Sequence, residues 1–269
     1  MIFFIFGLFL GSFLNNIALR LEKKEDFLFS RSKCPSCGKI LTLKELIPVL
    51  SFLIQKGKCI SCGSKISLRY PLVEIFTGLW VFLLSQAISP ISFLQFFEFL
   101  FYLTFLSVLS VLALYDLRTF LVDDKLIIFG IIVGLIFLGF KAYFNLFPRD
   151  FSYLLNYFFF QFSKLEPIFS AILLSSIFLI IYLLTQGKGL GFGDVKTAFL
   201  MGLFLRPGDG LLSILLASFY GSIYGIYVIL KTKKFRQPIP FVPFFFLGVI
   251  TTIFFGQYIT KIYFNLFIP

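Results

Sequence analysis

The sequence predicts an all-α polytopic membrane protein with about eight transmembrane helices and a small cytoplasmic zinc-binding loop domain. Of its 269 residues, 59% are hydrophobic and 14% are charged, whereas soluble domains average about 25% charged residues. Long apolar stretches recur from one end to the other, and all four cysteines fall in one polar loop. Lipid is therefore the predicted solvent for most of the chain.

Eight apolar segments are predicted to cross the membrane. The first lacks a basic leader and a small-residue cleavage site, so it is predicted to be a helix rather than a removable signal peptide. Segment 142–165 mixes aromatic with charged residues, which indicates a loop with an interfacial piece. The predicted spans are 1–19, 71–90, 93–115, 125–141, 166–186, 194–206, 209–230 and 240–260.

The basic residues orient these spans. If 20–70 is cytoplasmic, alternation places the loops at 116–125, 187–196 and 231–237 on the same side. Those four segments hold all but five of the 24 lysines and arginines, the exceptions being Lys141, Arg149, Lys164, Arg206 and Lys261. An excess of basic residues in short loops marks the cytoplasmic side, so both termini are predicted to lie outside an inner membrane. The net charge of +11 comes from basic residues in short loops between spans, where membrane topology explains it better than nucleic-acid binding does. Membrane lipids are therefore predicted partners, and nucleic acid is not.

The cysteine loop contains two C-x-x-C pairs, each followed by a glycine. Four thiolates at this spacing suit a tetrahedral Zn²⁺ ion, and the glycines allow tight turns that aim backbone N–H groups at the sulfurs. Because four protein ligands leave no open position, the zinc would be structural. Two disulfides, free thiols and an iron–sulfur cluster are the alternatives. The predicted ligands are Cys34, Cys37, Cys59 and Cys62.

Two aspartates are predicted to lie at the cytoplasmic ends of spans. Asp116 follows an apolar run, and Asp194 lies in a glycine-rich turn that opens another apolar helix. Two carboxylates in a partly dry site share one proton, which is the chemistry of aspartic peptidases. The glycines before Asp194 would let an extended substrate lie against the turn. The alternative makes Asp116 a salt-bridged helix end and Asp194 an N-cap, while Asp123 and Asp124 fit capping roles.

The chain contains no histidine, which excludes a Ser-His-Asp triad, a Cys-His pair and any histidine-bound metal. A transporter or channel would need polar residues deep in its spans, paired across internal repeats, and no convincing repeat is present. A non-catalytic scaffold that binds a partner through the zinc loop is a third class. It differs from an enzyme in that both aspartates would tolerate replacement by asparagine.

The chain resembles the type IV prepilin peptidase and N-methyltransferase family over nearly its whole length. Several positions follow the family's order along the chain: Arg20, Ser51, Glu74 and the segment 116–124, which begins with Asp116. At Asp123 the family usually has proline. The remaining segments that carry the resemblance are Gly11-Ser12-Phe13-Leu14-Asn15, Cys34-Pro35-Ser36-Cys37, Ile47-Pro48, Cys59-Ile60-Ser61-Cys62, Ile66-Ser67-Leu68-Arg69-Tyr70-Pro71, Gly191-Phe192-Gly193-Asp194 and Ile239-Pro240-Phe241-Val242-Pro243.

The resemblance implies a membrane aspartic endopeptidase with Asp116 and Asp194 as its catalytic pair. Its substrates would be type IV prepilin-like or pseudopilin precursors, cut on the cytoplasmic side after the glycine that ends a basic leader. S-adenosylmethionine would then supply a methyl group to the new N-terminus. The alternative is a peptidase without methyl transfer.

The resemblance also implies a division of the chain. Residues 1–92 would form a methyltransferase-associated module with the cysteine knuckle at about 20–70, and residues 93–269 a six-span peptidase domain. Asn15, Arg20, Arg69 and Glu74 are candidates for the methyl-transfer site. The last three fit equally well as topological anchors or as a structural ion pair.

Overall fold

The computed structural model describes residues 1–24, 32–144, 165–233 and 237–267. Within these ranges the chain is helical and has no β-strand beyond isolated bridges. It divides into two compact units, unit 1 (Met1–Phe99) and unit 2 (Leu100–Pro269). The helices are α1 (Ile2–Lys23), α2 (Leu50–Ile54), α3 (Arg69–Ile88), α4 (Phe93–Thr119), α5 (Asp124–Tyr143), α6 (Glu166–Thr185), α7 (Phe192–Phe204), α8 (Pro207–Thr232) and α9 (Val242–Phe267).

All eight predicted apolar segments are helical, which confirms the all-α membrane architecture. Seven of these helices are long and apolar enough to cross a bilayer. Helix α7 has 13 residues and so rises only about 20 Å, less than the ~30 Å hydrocarbon core. Most of segment 142–165, for which an interfacial piece is predicted, lies outside the described residues.

Unit 1 is built on close contact between α1 and α3. A Cβ added to Gly7 would lie 2.7 Å from the Cα of Gly78, and one added to Gly11 would lie 2.9 Å from the Cα of Glu74. Small residues let helix backbones approach in lipid, where van der Waals packing replaces the hydrophobic effect as the main source of association. Glycine at these two positions of α1 therefore fixes its register against α3.

The polar loop of unit 1 joins α1 to α3 and carries both cysteine pairs. Between the pairs lie a short 3₁₀ helix, Leu43–Leu46, and α2. Glu45 accepts hydrogen bonds from the Thr42 backbone N–H and hydroxyl, and it forms a 3.0 Å ion pair with Lys39. This capping-box arrangement connects the first cysteine pair to the 3₁₀ helix.

Unit 2 surrounds α7 with longer helices. A Cβ on Gly202 of α7 would overlap the backbone of Ala171 in α6, and one on Gly130 of α5 would meet the side chain of Leu200. The rings of Phe105 and Phe204 stack with centroids 4.2 Å apart. These contacts bury α7 along most of its length and so fix the position of Asp194 in its first turn.

Candidate aspartate site and four-cysteine site

Asp116 lies near the C-terminal end of α4 with only 5% of its surface exposed. Its Oδ2 accepts a 3.1 Å hydrogen bond from the backbone N–H of Val242, the first residue of α9. The backbone N–H of Phe241 also interacts with this carboxylate. The proline-rich segment 238–243 thus begins a helix whose free N–H groups face the aspartate, a partnership that sequence reasoning missed.

Asp194 is the third residue of α7 and is half-buried. Its Oδ2 accepts a 3.2 Å hydrogen bond from the N–H of Gly191, which occupies the N-cap position. The alternative that Asp194 is itself the N-cap is therefore wrong, because the N-cap is Gly191, three residues earlier. The Asp194 carboxylate nevertheless accepts a hydrogen bond from the backbone N–H of that N-cap residue. Since Oδ2 makes this bond, Oδ1 is available for other partners.

The two aspartates are near one another within unit 2. Burial, together with the negative charge of Asp116, raises the pKa of Asp194 to about 7. Asp194 lies outside the seven membrane-length helices, in the turn that precedes the buried part of α7. Two neighbouring carboxyl groups in such a site retain one proton near neutral pH, which is the protonation state that aspartic peptidase chemistry needs.

The glycines before Asp194 differ in what surrounds them. Gly189 and Gly191 are exposed; a Cβ on Gly191 would meet nothing closer than 3.5 Å, while one on Gly189 would lie 3.1 Å from Thr185. A Cβ on Gly193, however, would lie 2.5 Å from Cγ2 of Val122 in the α4–α5 loop. Gly193 is therefore required for packing against Val122, and the expectation that an extended substrate lies against this turn stays a prediction.

Asp123 and Asp124 have structural partners at the start of α5. Asp123 is the N-cap, and its Oδ1 accepts a 3.0 Å hydrogen bond from the backbone N–H of Leu126, so the predicted cap is confirmed. Asp124 forms a 2.6 Å ion pair with Lys196 of α7. An aspartate at position 123 thus supplies a cap, and the ion pair joins the start of α5 to α7, the helix that carries Asp194.

The four cysteines converge, with all their sulfur atoms within 4.8 Å of one another. The Sγ atoms of Cys34 and Cys62 are 3.9 Å apart. Four sulfurs held tetrahedrally about 2.3 Å from a zinc ion lie ~3.8 Å from one another. All four cysteines lie in the described part of the chain and form no disulfide, so the disulfide alternative is not what the structure has.

The two cysteine pairs form matching turns. In the first, the N–H of Gly38 donates to the carbonyl of Cys34, and in the second the N–H of Gly63 donates to that of Cys59, each at 2.9 Å. Both glycines have a positive φ, 72° and 68°, a backbone conformation that glycine adopts readily in the tight turns predicted here. Hydrogen bonds from backbone N–H groups of Cys37 and Ser36 are the main cause that lowers the pKa of Cys34 to about 6.

The first turn favours a thiolate at Cys34, whereas its neighbour Cys37, in contact with the sulfurs of Cys34 and Cys62, has a pKa raised to about 11. Thiolate, not thiol, is the form that binds metals, and a Cys₄ set of this geometry fits a closed structural site. The hydroxyl of Ser64 lies 3.1 Å from the sulfur of Cys62 and adds a further polar contact to the thiolates. Sequence reasoning missed Ser64, since nothing in the spacing of the cysteines points to it.

The candidates for methyl transfer all lie in unit 1. Asn15 and Arg20 are in α1, while Arg69 begins α3 and Glu74 lies one turn further along it. Asn15 and Glu74 are buried, with 1% and 6% of their surface exposed. Glu74 accepts a 2.8 Å hydrogen bond from the N–H of Val49 in the cysteine loop.

Comparison with known proteins covers most of the chain. A model of the bacterial peptidase A24 N-terminal domain matches residues 5–88, and a model of the type IV leader peptidase family matches residues 103–226. The chain is 33% identical to the prepilin leader peptidase/N-methyltransferase of Bacillus subtilis over 97% of this chain and 96% of that protein. It is 28% identical to the protein of the same name from Pseudomonas aeruginosa, over 96% and 91% respectively. No solved structure matches it significantly.

The fold and the two sites define a polytopic membrane protein in which a four-cysteine cluster and a pair of neighbouring aspartates occupy different units. The sequence relationship then narrows this class to one family. The chain belongs to the type IV leader peptidase family, in the group of prepilin leader peptidase/N-methyltransferases.

Proposed function

We propose that this chain cleaves the basic leader of type IV prepilin-like or pseudopilin precursors after a glycine and then methylates the new N-terminus. Membership of the family supports both activities. The single observation that carries the peptidase assignment is that Asp194 is buried near Asp116, so that burial first and the charge of Asp116 second raise the pKa of Asp194 to about 7.

Asp116 and Asp194 would divide the chemistry between them. Asp116 receives N–H donors from the start of α9, and such donors favour the ionised form, so Asp116 takes a proton from the attacking water. Asp194 keeps its proton and polarises the carbonyl of the scissile bond. The water oxygen bonds to the carbonyl carbon, the C–N bond breaks, and the leaving amine takes up the proton.

Zinc is the metal that we assign to Cys34, Cys37, Cys59 and Cys62. Four thiolates complete a tetrahedral shell, so the ion would hold the loop of unit 1 and take no part in hydrolysis. A loop of this size has little core of its own, and metal binding would therefore supply much of the free energy that folds it.

Methyl transfer belongs, in this proposal, to the N-terminal module of residues 1–92, and peptide hydrolysis to residues 93–269. S-adenosylmethionine would supply an electrophilic methyl group to the amine that cleavage exposes. The buried amide of Asn15, which has no hydrogen-bond partner among the described residues, fits a role in holding a polar ligand of this kind.

The protein is polytopic, and we place both termini outside the bacterial inner membrane with the aspartates facing the cytoplasm. The distribution of lysine and arginine between loops supports this orientation. It gives the site access to uncleaved leaders, which remain on the cytoplasmic side. The same basic loops would contact the anionic lipid headgroups of that leaflet.

The test is an assay of the purified protein in detergent with a prepilin substrate, with and without S-adenosylmethionine. Mass spectrometry of the product should show a shortened N-terminus in both cases and one added methyl group only when the methyl donor is present. A shortened product that is never methylated would favour the peptidase-only alternative, and an intact substrate would contradict the proposal.

A further inference from the structure

Asn15 is a buried amide without a partner. Only 1% of its surface is exposed, and neither its Nδ2 nor its Oδ1 has a hydrogen-bond partner among the described residues. Leaving a buried polar group unpaired costs about 1–3 kcal/mol. A side chain with one donor group and one acceptor, both unused, is therefore matched to a polar ligand that supplies complementary atoms.

The surroundings of Asn15 are polar where α1 meets α3. Gly11, one helical turn before Asn15 on the same buried face of α1, lies against Thr77 and Glu74 of α3. The hydroxyl of Thr77 is also buried and has no partner in the described part of the chain. Asn15 and Thr77, two buried polar side chains without a partner among the described residues, thus lie on the two helices whose contact at Gly11 also includes the buried Glu74.

A strained turn of the cysteine loop reaches this interface. Val49 has φ 61° and ψ −51°, and the carbonyl of Pro48 accepts a 2.6 Å hydrogen bond from the N–H of Leu50. This is a γ-turn with positive φ at its centre, which is rare and costly for a β-branched residue. The backbone N–H of Val49 donates a hydrogen bond to Glu74, so the strained residue contacts the carboxylate directly.

We propose that Asn15 and Glu74 form the binding site for S-adenosylmethionine, closed on the loop side by the Val49 turn; this rests on the methyltransferase part of the proposed function. The Asn15 amide would hydrogen-bond a polar end of the ligand. A carboxylate has about four acceptor positions, so Glu74 can accept from the Val49 N–H and the Ser12 hydroxyl and still face a cation. Strained backbone is typical of ligand clamps.

The charge of Glu74 gives this site a preference that can be measured. The methyl donor carries a sulfonium cation, whereas S-adenosylhomocysteine, left after transfer, has a neutral thioether at the same atom. An ionised Glu74 attracts the sulfonium cation and has no such attraction for the neutral thioether. The site therefore binds the donor more tightly than the product, and Glu74→Gln removes that preference.

The experiment measures the Kd of both ligands by calorimetry, using the full-length protein in detergent. Asn15→Leu is expected to weaken binding of both by about tenfold, the equivalent of one hydrogen bond to a charged group. Glu74→Gln is expected to weaken binding of S-adenosylmethionine more than that of S-adenosylhomocysteine. The control is Ser85→Ala on the same helix, since the buried Ser85 hydroxyl already donates to Phe82 and its loss leaves both Kd values unchanged.

Prepilin cleavage by each variant serves as the measure of folding. Variants that cleave normally and bind both ligands as the wild type does would overturn this site, while the proposed function would survive if the wild type still methylates. A wild-type protein that cleaves but binds neither ligand would overturn this site together with the methyltransferase assignment. Loss of binding with cleavage retained supports the site.

Discussion

The backbone N–H of Val242 donates a 3.1 Å hydrogen bond to Oδ2 of Asp116, 126 positions earlier in the chain. The bond joins the first residue of α9 to the aspartate near the end of α4, and both groups are buried. The N-terminus of a helix carries partial positive charge and favours an anion. Asp116 is thus fixed in direction and supplied with the donors that a carboxylate base requires.

Replacing Val242 with proline should remove this donor while preserving the helix. Proline is well tolerated at the first position of a helix, where its missing N–H has no intrahelical partner. A hydrogen bond to a charged group contributes about 1.5–3 kcal/mol, so kcat/KM for cleavage should fall by roughly 10- to 100-fold. Val242→Ala keeps the N–H and should stay within a few-fold of wild type; equal losses in both variants would argue that the side chain, not the hydrogen bond, matters.

Gly193 and Val122 form a second testable pair. A Cβ at position 193 would overlap Val122, and overpacking of this kind costs about 1–3 kcal/mol. Gly193→Ala should therefore lower cleavage activity by displacing the α4–α5 loop. Adding Val122→Ala should restore most of it, as a double-mutant cycle of activities would reveal. Without recovery in the double variant, glycine would be needed at 193 for another reason, such as contact with substrate.

The rate of cleavage should depend on pH through the aspartate pair. Burial and the charge of Asp116 raise the pKa of Asp194 to about 7, so the shared proton is lost as the pH rises through that value. The rate, measured on single turnovers, should fall on the alkaline side and also at low pH, when both groups are protonated. These limbs belong to the pair and not to either residue. A rate that stays constant from about pH 5 to about pH 9 would be inconsistent with a shared proton.

The four-cysteine site should bind one divalent metal ion in a tetrahedral thiolate shell. Replacement of zinc by Co²⁺ should produce the intense visible absorption of tetrahedral cobalt–thiolate complexes, and elemental analysis should give one zinc per chain. Cys34→Ser and Cys59→Ser should each lose the signal, whereas Ser61→Ala in the exposed part of the second turn should retain it. Iron and acid-labile sulfide in the purified protein would instead indicate a cluster.

Much of this fold could be predicted from the sequence because lipid imposes simple requirements. Each membrane helix must be apolar and satisfy its own backbone, and the eight apolar segments predicted this way are all helical. The C-x-x-C-G pairs have local rules of similar strength: tight turns are predicted at both glycines, and both turns are present with a positive φ at Gly38 and Gly63. The cap at Asp123 follows from its place before α5.

Contacts between distant segments could not be predicted in this way. Nothing in the order of residues indicates that Val242 faces Asp116, or that Val122 fills the space beside Gly193, because each contact depends on how separate helices pack. The strain at Val49 is also a result of tertiary structure, since no local rule places a β-branched residue at positive φ. The partners of the aspartates therefore required the structure, although the aspartates themselves did not.

The most direct test compares Asp116→Asn and Asp194→Asn with Asp123→Asn, each purified in detergent and assayed on the same prepilin substrate. Asparagine caps helices as well as aspartate, so the Asp123 variant should cleave at close to the wild-type rate and serve as the matched control. Either of the other two should leave the leader attached, while the protein still inserts and binds its metal. A leader removed at an undiminished rate by the Asp116 or the Asp194 variant would contradict the account.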